Sequence, residues 1–144
     1  MPQPQAAPTV VLVEDHPLHA RVLRQALAAR LPGGRIELFA DGTAACRRLM
    51  EDAAPDLLVL DLDLPGHSGH ELLALCVSDG RLQAMQTVVV TSSTDATDRE
   101  RSLRLGAAMH LPKPVDAAGF MQLADGLAAL VNPGGQSSRA GRTA

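Results

Sequence analysis

Short, unbroken apolar runs, each ending at or just before a reactive residue, limit most strongly what this chain can fold into. Val10-Val11-Leu12-Val13 leads into Glu14 and Asp15, and Leu57-Leu58-Val59-Leu60 leads into Asp61. Val88-Val89-Val90 leads into Thr91, and Met109-His110-Leu111-Pro112 into Lys113. Continuous rather than alternating apolarity in the first three of these runs suits strands buried on both sides, as in a parallel sheet covered by helices. Helical patterns separate the runs. Pro17 fits the first turn of a helix reaching about Arg30, which Leu31-Pro32-Gly33-Gly34 stops. Asp41 can cap a second helix near 42–52, and Ser68 with Glu71 has capping-box spacing for a third. A charged helix near 95–105 ends at Gly106, and Asp116 can cap a final one whose Phe120, Leu123, Leu127 and Val131 recur at helical spacing. Five strand–helix repeats predict an α/β fold, a doubly wound five-stranded parallel sheet with helices on both faces. The carboxyl ends of such strands share one edge, and ligands bind there. The four reactive positions should therefore converge.

The bulk numbers bound the setting. With 144 residues and 46% of them hydrophobic, the chain suits one domain. We expect a disordered N-terminal tail over 1–8, a folded domain over 9–131 and a flexible tail over 132–144. Aromatics are only 1% of the chain, so the core must be Leu, Val and Ala. A net charge of −3 argues against a nucleic-acid surface. No apolar run approaches the ~18 residues of a membrane span, and the start at Met1-Pro2-Gln3-Pro4-Gln5 lacks a signal-peptide pattern. Cys46 and Cys76 are isolated and read as small core residues in a reducing compartment. The cytoplasm is the expected location.

An aspartate can attack phosphorus and form an aspartyl phosphate. Attack by an anion on an anionic donor needs charge neutralisation, which Mg²⁺ supplies through one or two carboxylates. Glu14, Asp15 and Asp61 make such a cluster. Lys113 would pair with a phosphoryl oxygen as a point charge, and would otherwise balance the carboxylates. Thr91 offers a hydroxyl on a stiff β-branched side chain. Taken singly, each residue has a plainer reading: a helix cap, a strand-end hydroxyl, a solvated lysine. Only the set points to chemistry.

At these residues the chain resembles the receiver domain of two-component response regulators, over roughly 9–131. The matching pieces are Val11-Leu12-Val13-Glu14-Asp15, residues 56–66 around Asp61, Val88-Val89-Val90-Thr91-Ser92, and Gly106-Ala107 leading into Lys113-Pro114. The resemblance implies the flavodoxin-like strand order and a phosphorylation-dependent signalling switch, not an enzyme beyond its own phosphorylation and dephosphorylation. Asp61 would be the phosphoacceptor, served by a sensor histidine kinase or a phosphotransfer protein. Asp15 would bind Mg²⁺ directly and Glu14 through water, with the backbone carbonyl of Asp63 as a further ligand. Thr91 and Lys113 would be the switch hydroxyl and lysine, and the Lys113–Pro114 bond would be cis. His110 stands where the family often has an inward-swinging Tyr or Phe, which makes pH-sensitive switching an expectation. Asp63 occupies a position that tunes metal affinity and phosphate lifetime. The responsive surface would span about 95–131, where a downstream protein or a second copy docks. No room for an output domain follows residue 131, so a stand-alone receiver without direct DNA contact is expected. Thr91-Ser92-Ser93, Lys113-Pro114-Val115-Asp116 and Phe120 resemble regulators that partner phytochrome-type kinases.

Rival readings are a phosphohydrolase of haloacid-dehalogenase type, suggested by Asp61-Leu62-Asp63, and a degenerate receiver that only binds. Pro65, the mid-chain position of the motif and the lack of an acidic pair after Lys113 oppose the first. His16-x-x-His19 and His67-x-x-His70 lack further zinc ligands and read as exposed histidines. The arginines near 95–105 alternate with acids and read as a solvated face. Met85, Met109 and Met121 read as core fillers.

Overall fold

The computed structural model describes residues 7–131. In chain order the elements are β1 (Thr9–Val13), α1 (Pro17–Arg30), β2 (Arg35–Phe39), α2 (Gly42–Glu51), β3 (Leu57–Leu60) and α3 (Gly69–Ser78). They continue with α4 (Arg81–Ala84), β4 (Gln86–Thr91), α5 (Ala96–Arg104), β5 (Met109–Pro112) and α6 (Ala117–Val131). The five strands form one sheet in the order β2-β1-β3-β4-β5, every pair parallel. This is the doubly wound order in which the strand sequence reverses at β1 and β3. The short α4 was not foreseen, since four residues carry no readable helical period.

Side chains alternate across each strand and so feed two cores. Val10, Leu12, Leu57, Val59, Val88 and Val90 meet Leu23 and Leu27 of α1 and Phe120, Ala124 and Leu127 of α6 on one face. Val11, Val13, Leu58, Leu60 and Val89 meet Ala45 and Leu49 of α2 and Leu72, Leu73 and Cys76 of α3 on the other. The helix starts follow the local signals. The Asp41 side chain accepts from Ala44 N–H at 2.8 Å, that of Asp116 accepts from Gly119 N–H at 2.8 Å, and Ser68 with Glu71 closes a full capping box. At α1 the cap is His16, whose Nδ1 accepts from His19 N–H at 3.4 Å, while Pro17 occupies the first turn. Gly69 lets the start of α3 lie directly under the end of β3, because a Cβ there would strike the Asp61 carbonyl and the Leu62 Cα.

Three expectations need correction. Met109 and Met121 are 40% and 37% exposed, so they rim the surface while Met85 alone of the three fills the core. Met109 opens the edge strand β5, and Met121 lies on a side of α6 that meets the Arg30 guanidinium, so burial is set by position rather than by residue type. His70 is buried, not exposed, because the turn that carries it faces α5. Pro8 also belongs to the fold rather than to a tail, its carbonyl accepting from Arg35 N–H at 3.0 Å. The rest of the expected N-terminal tail, residues 1–6, and the expected C-terminal tail, 132–144, lie outside the described residues.

Candidate functional site

Four strand ends deliver the site. β1 ends at Val13 and hands over Glu14 and Asp15; β3 ends at Leu60 and hands over Asp61; β5 ends at Pro112 and hands over Lys113. The register that sets Val13 beside Leu60 places the two acidic segments side by side. Carboxylate oxygens of Glu14, Asp15 and Asp61 all lie within 4.8 Å of one another. Lys113 Nζ reaches into this cluster, 2.8 Å from Glu14 Oε1 and 2.9 Å from Asp61 Oδ2. Glu14 and Asp61 are buried and Asp15 is exposed, so the cluster opens to solvent on one side.

The two buried acids are also held by backbone. Glu14 Oε2 accepts from His16 N–H at 3.0 Å, and Asp61 Oδ1 accepts from Asp63 N–H at 3.3 Å. Burial disfavours the charged ammonium of Lys113, but its hydrogen bonds to Glu14 and Asp61 outweigh that and hold its pKa above the ordinary lysine value. Lys113 thus stays charged and balances the carboxylates in the absence of other cations. Hard oxygen donors on three carboxylates, one of them open to solvent, fit a divalent cation of the Mg²⁺ or Ca²⁺ kind. The carboxylate of Asp63 is exposed and stands outside the cluster.

Thr91 arrives at the neighbouring strand end and is fully buried. Its backbone carbonyl accepts from Lys113 N–H at 2.9 Å, tying the two segments together. Its hydroxyl accepts from Ser93 N–H at 3.2 Å, and no hydrogen bond joins it to Asp61 among the described residues. The expected cis bond before Pro114 is corrected: no cis peptide occurs among the described residues. Trans is the favoured state of an X-Pro bond by about 0.5–1 kcal/mol, and Lys113 reaches both carboxylates from it.

His110 projects from β5 on the side of α5, half-buried, its Nδ1 enclosed without a partner among the described residues. Burial first, then the Arg99 charge, lowers its pKa, against a smaller opposing pull from Asp98. His19, expected to be exposed, is half-buried instead: it stacks on His16 at 3.8 Å and contacts Phe120 beside the site. Burial, then the charges of His16 and Lys113, lowers its pKa. No zinc set forms. His67 pairs with Glu71 at 3.6 Å, and His70 turns into the protein.

Known proteins share this sequence pattern and fold. The family model for the response regulator receiver domain matches residues 10–125. The chain belongs to that family. It is 37% identical over 111 residues to the probable methanogenesis regulatory protein FilR2 of Methanothrix harundinacea, covering 74% of this chain and 72% of that one. It spans only 46%, 24% and 49% of three longer regulators it also matches. Among solved structures, the phosphorylated cyanobacterial phytochrome response regulator RcpA superposes with a TM-score of 0.79 at 28% identity, over 86% of this chain and 93% of that one. The Mn²⁺-bound form of response regulator Rcp1 gives 0.77 at 26% identity, over 85% and 92%. The chain is therefore a receiver domain of the phosphorylation-dependent signalling class, which is not a class of conventional enzymes, and nothing supports the phosphohydrolase alternative.

Proposed function

We propose that Asp61 is the phosphoacceptor of a two-component switch, and that the contact of Lys113 Nζ with both Asp61 and Glu14 carries this reading. A carboxylate held at a strand end beside a charged ammonium is positioned for nucleophilic attack. One oxygen of Asp61 forms a bond to phosphorus while the phosphorus–nitrogen bond of a phosphohistidine breaks, and the leaving imidazole takes up a proton. The donor is a sensor histidine kinase or a phosphotransfer protein. Likeness to RcpA, a cyanobacterial phytochrome response regulator, supports a phytochrome-type kinase as the first to try.

Asp15, Asp61 and the backbone carbonyl of Asp63 would hold Mg²⁺, with Glu14 acting through water. Bound there, the cation supplies neutralisation of the charge on the phosphoryl oxygens. Both oxygens of Glu14 already accept hydrogen bonds, which supports the indirect role. Lys113 exchanges its carboxylate contact for a phosphoryl oxygen, and Thr91 donates its hydroxyl to another. These contacts favour one conformer of the surface formed by residues 95–131. A shift from 1:99 to 99:1 needs about 5.5 kcal/mol, more than two charge-assisted hydrogen bonds reliably provide. Binding of a downstream protein, or of a second copy at α5, β5 and α6, completes it. The acids among the α5 arginines disfavour nucleic acid there, and the cytoplasm is the compartment that such a kinase requires.

Acetyl phosphate with Mg²⁺ should label the wild-type chain once, and chelation should prevent it. Asp61→Ala should abolish the label while Asp63→Asn keeps it. Stoichiometric labelling of Asp61→Ala would refute the assignment.

A further inference from the structure

The site hydroxyl is connected to α5 by hydrogen bonds that the phosphoryl chemistry does not use. Ser93 stands at the centre. Its N–H donates to Thr91 Oγ1 at 3.2 Å, its hydroxyl donates to Asp98 Oδ2 at 2.7 Å, and the same oxygen accepts from Asp95 N–H at 3.2 Å. Asp98 lies in the first turn of α5. Its carbonyl is 3.3 Å from His70 Nε2, and Ser102, one turn on, places Oγ 3.1 Å from the same nitrogen. A carbonyl only accepts, so the contact with Asp98 puts a proton on Nε2. His70 is 7% exposed and Ser102 fully buried. A chain of polar contacts thus runs from Thr91 through Ser93 and Asp98 to α3.

α5 has little else to hold it. Ser102 is its one buried residue, whereas α6 buries Phe120, Ala124, Leu127 and Ala128. A helix that lacks apolar anchorage is positioned by its hydrogen bonds, and buried ones resist exchange with water.

We infer that Ser93, Asp98 and His70 are positioning residues that hold Thr91 and α5 in the resting arrangement and couple the two. This rests on the receiver reading of the site. When the Thr91 hydroxyl turns to a phosphoryl oxygen on Asp61, it gives up the Ser93 N–H. The loop from Thr91 to Asp98 then loses its fixed end, and α5 is freed from His70. The relay acts in the opposite sense at rest, keeping Thr91 turned away from Asp61 and the active conformer scarce.

The test is amide hydrogen exchange along the full chain, with and without acetyl phosphate and Mg²⁺, read separately for α5 and α6. In the resting wild type α5 should be protected, and phosphorylation should speed its exchange while α6 stays unchanged. His70→Leu and Ser93→Ala should each speed resting exchange in α5 about tenfold, the loss of roughly one net hydrogen bond. Both should shrink the further change on phosphorylation and speed labelling of Asp61, since the competent conformer is more populated. His70→Gln, whose side-chain amide can still donate to the Asp98 carbonyl, should restore much of the protection. If α5 exchange in both His70→Leu and Ser93→Ala stays within twofold of the resting wild type, the relay is refuted while the receiver reading stands. A wild-type chain that takes no phosphoryl group overturns that reading and the relay with it.

Discussion

The two faces of the sheet are built by different physics. The α1/α6 face is dry: its strand side chains are valines and leucines, and its helices meet them with Leu23, Leu27, Phe120 and Leu127. One ion pair, Arg30 Nε to Asp125 Oδ1 at 2.6 Å, closes the rim of that seam. The α2/α3/α5 face has an apolar half under α2 and α3 and a polar half toward α5, where Thr87, His70 and Ser102 are buried. His110 faces the same side, since it registers with Val89 of that core. Apolar burial is non-directional and survives small displacements, whereas buried hydrogen bonds are made or lost over a fraction of an ångström. The packing of the first face tolerates small shifts; the polar contacts of the second can have two settings.

The comparison can be broken at its strong side first. Leu127→Ala should destabilise the chain by about 2–5 kcal/mol, as a cavity in a packed core does, and urea titration would show it. A loss under about 1 kcal/mol would mean that the α1/α6 face is as adaptable as the other. On the polar face, the Thr87 hydroxyl is enclosed without a partner among the described residues. Thr87→Val should therefore raise stability by about 1 kcal/mol, because an unpaired buried hydroxyl costs more than it returns. Destabilisation of that size would reveal a partner for the hydroxyl.

A smaller effect concerns pH. The His110 pKa lies below its ordinary 6.5, so the unfolded chain takes up its proton before the folded one does. That contribution is complete above pH 6.5 and shrinks as pH falls below it, until the folded form protonates as well. His110→Phe should flatten the fall in unfolding free energy between about pH 7 and pH 5.5, leaving the share from His19, which has the same sign. An unchanged slope would place the proton uptake elsewhere.

What could be read beforehand divides along the same line. Asp41, Ser68 with Glu71, and Asp116 announced their helices because capping is a local act between a side chain and the next turn. The candidate site was legible for a similar reason. Parallel strands share a carboxyl edge, so residues that end apolar runs must meet there whatever the loops do. His70 was read as exposed because nothing within a few residues reports that α5 packs over it. The Ser93–Asp98 link was hidden too, since a serine and an aspartate five residues apart across a helix start have many other ways to satisfy themselves.

By itself, then, the sequence determined the strands, the capped helices and the carboxylates and lysine that the sheet edge collects. Periodicity and capping act over a few residues and are written in the chain. The tertiary structure decided the trans bond before Pro114, the exposure of Met109 and Met121, and the polar contacts that fasten α5 to α3. Those depend on which surfaces meet after the chain has closed on itself, and burial is a property of the meeting rather than of either residue.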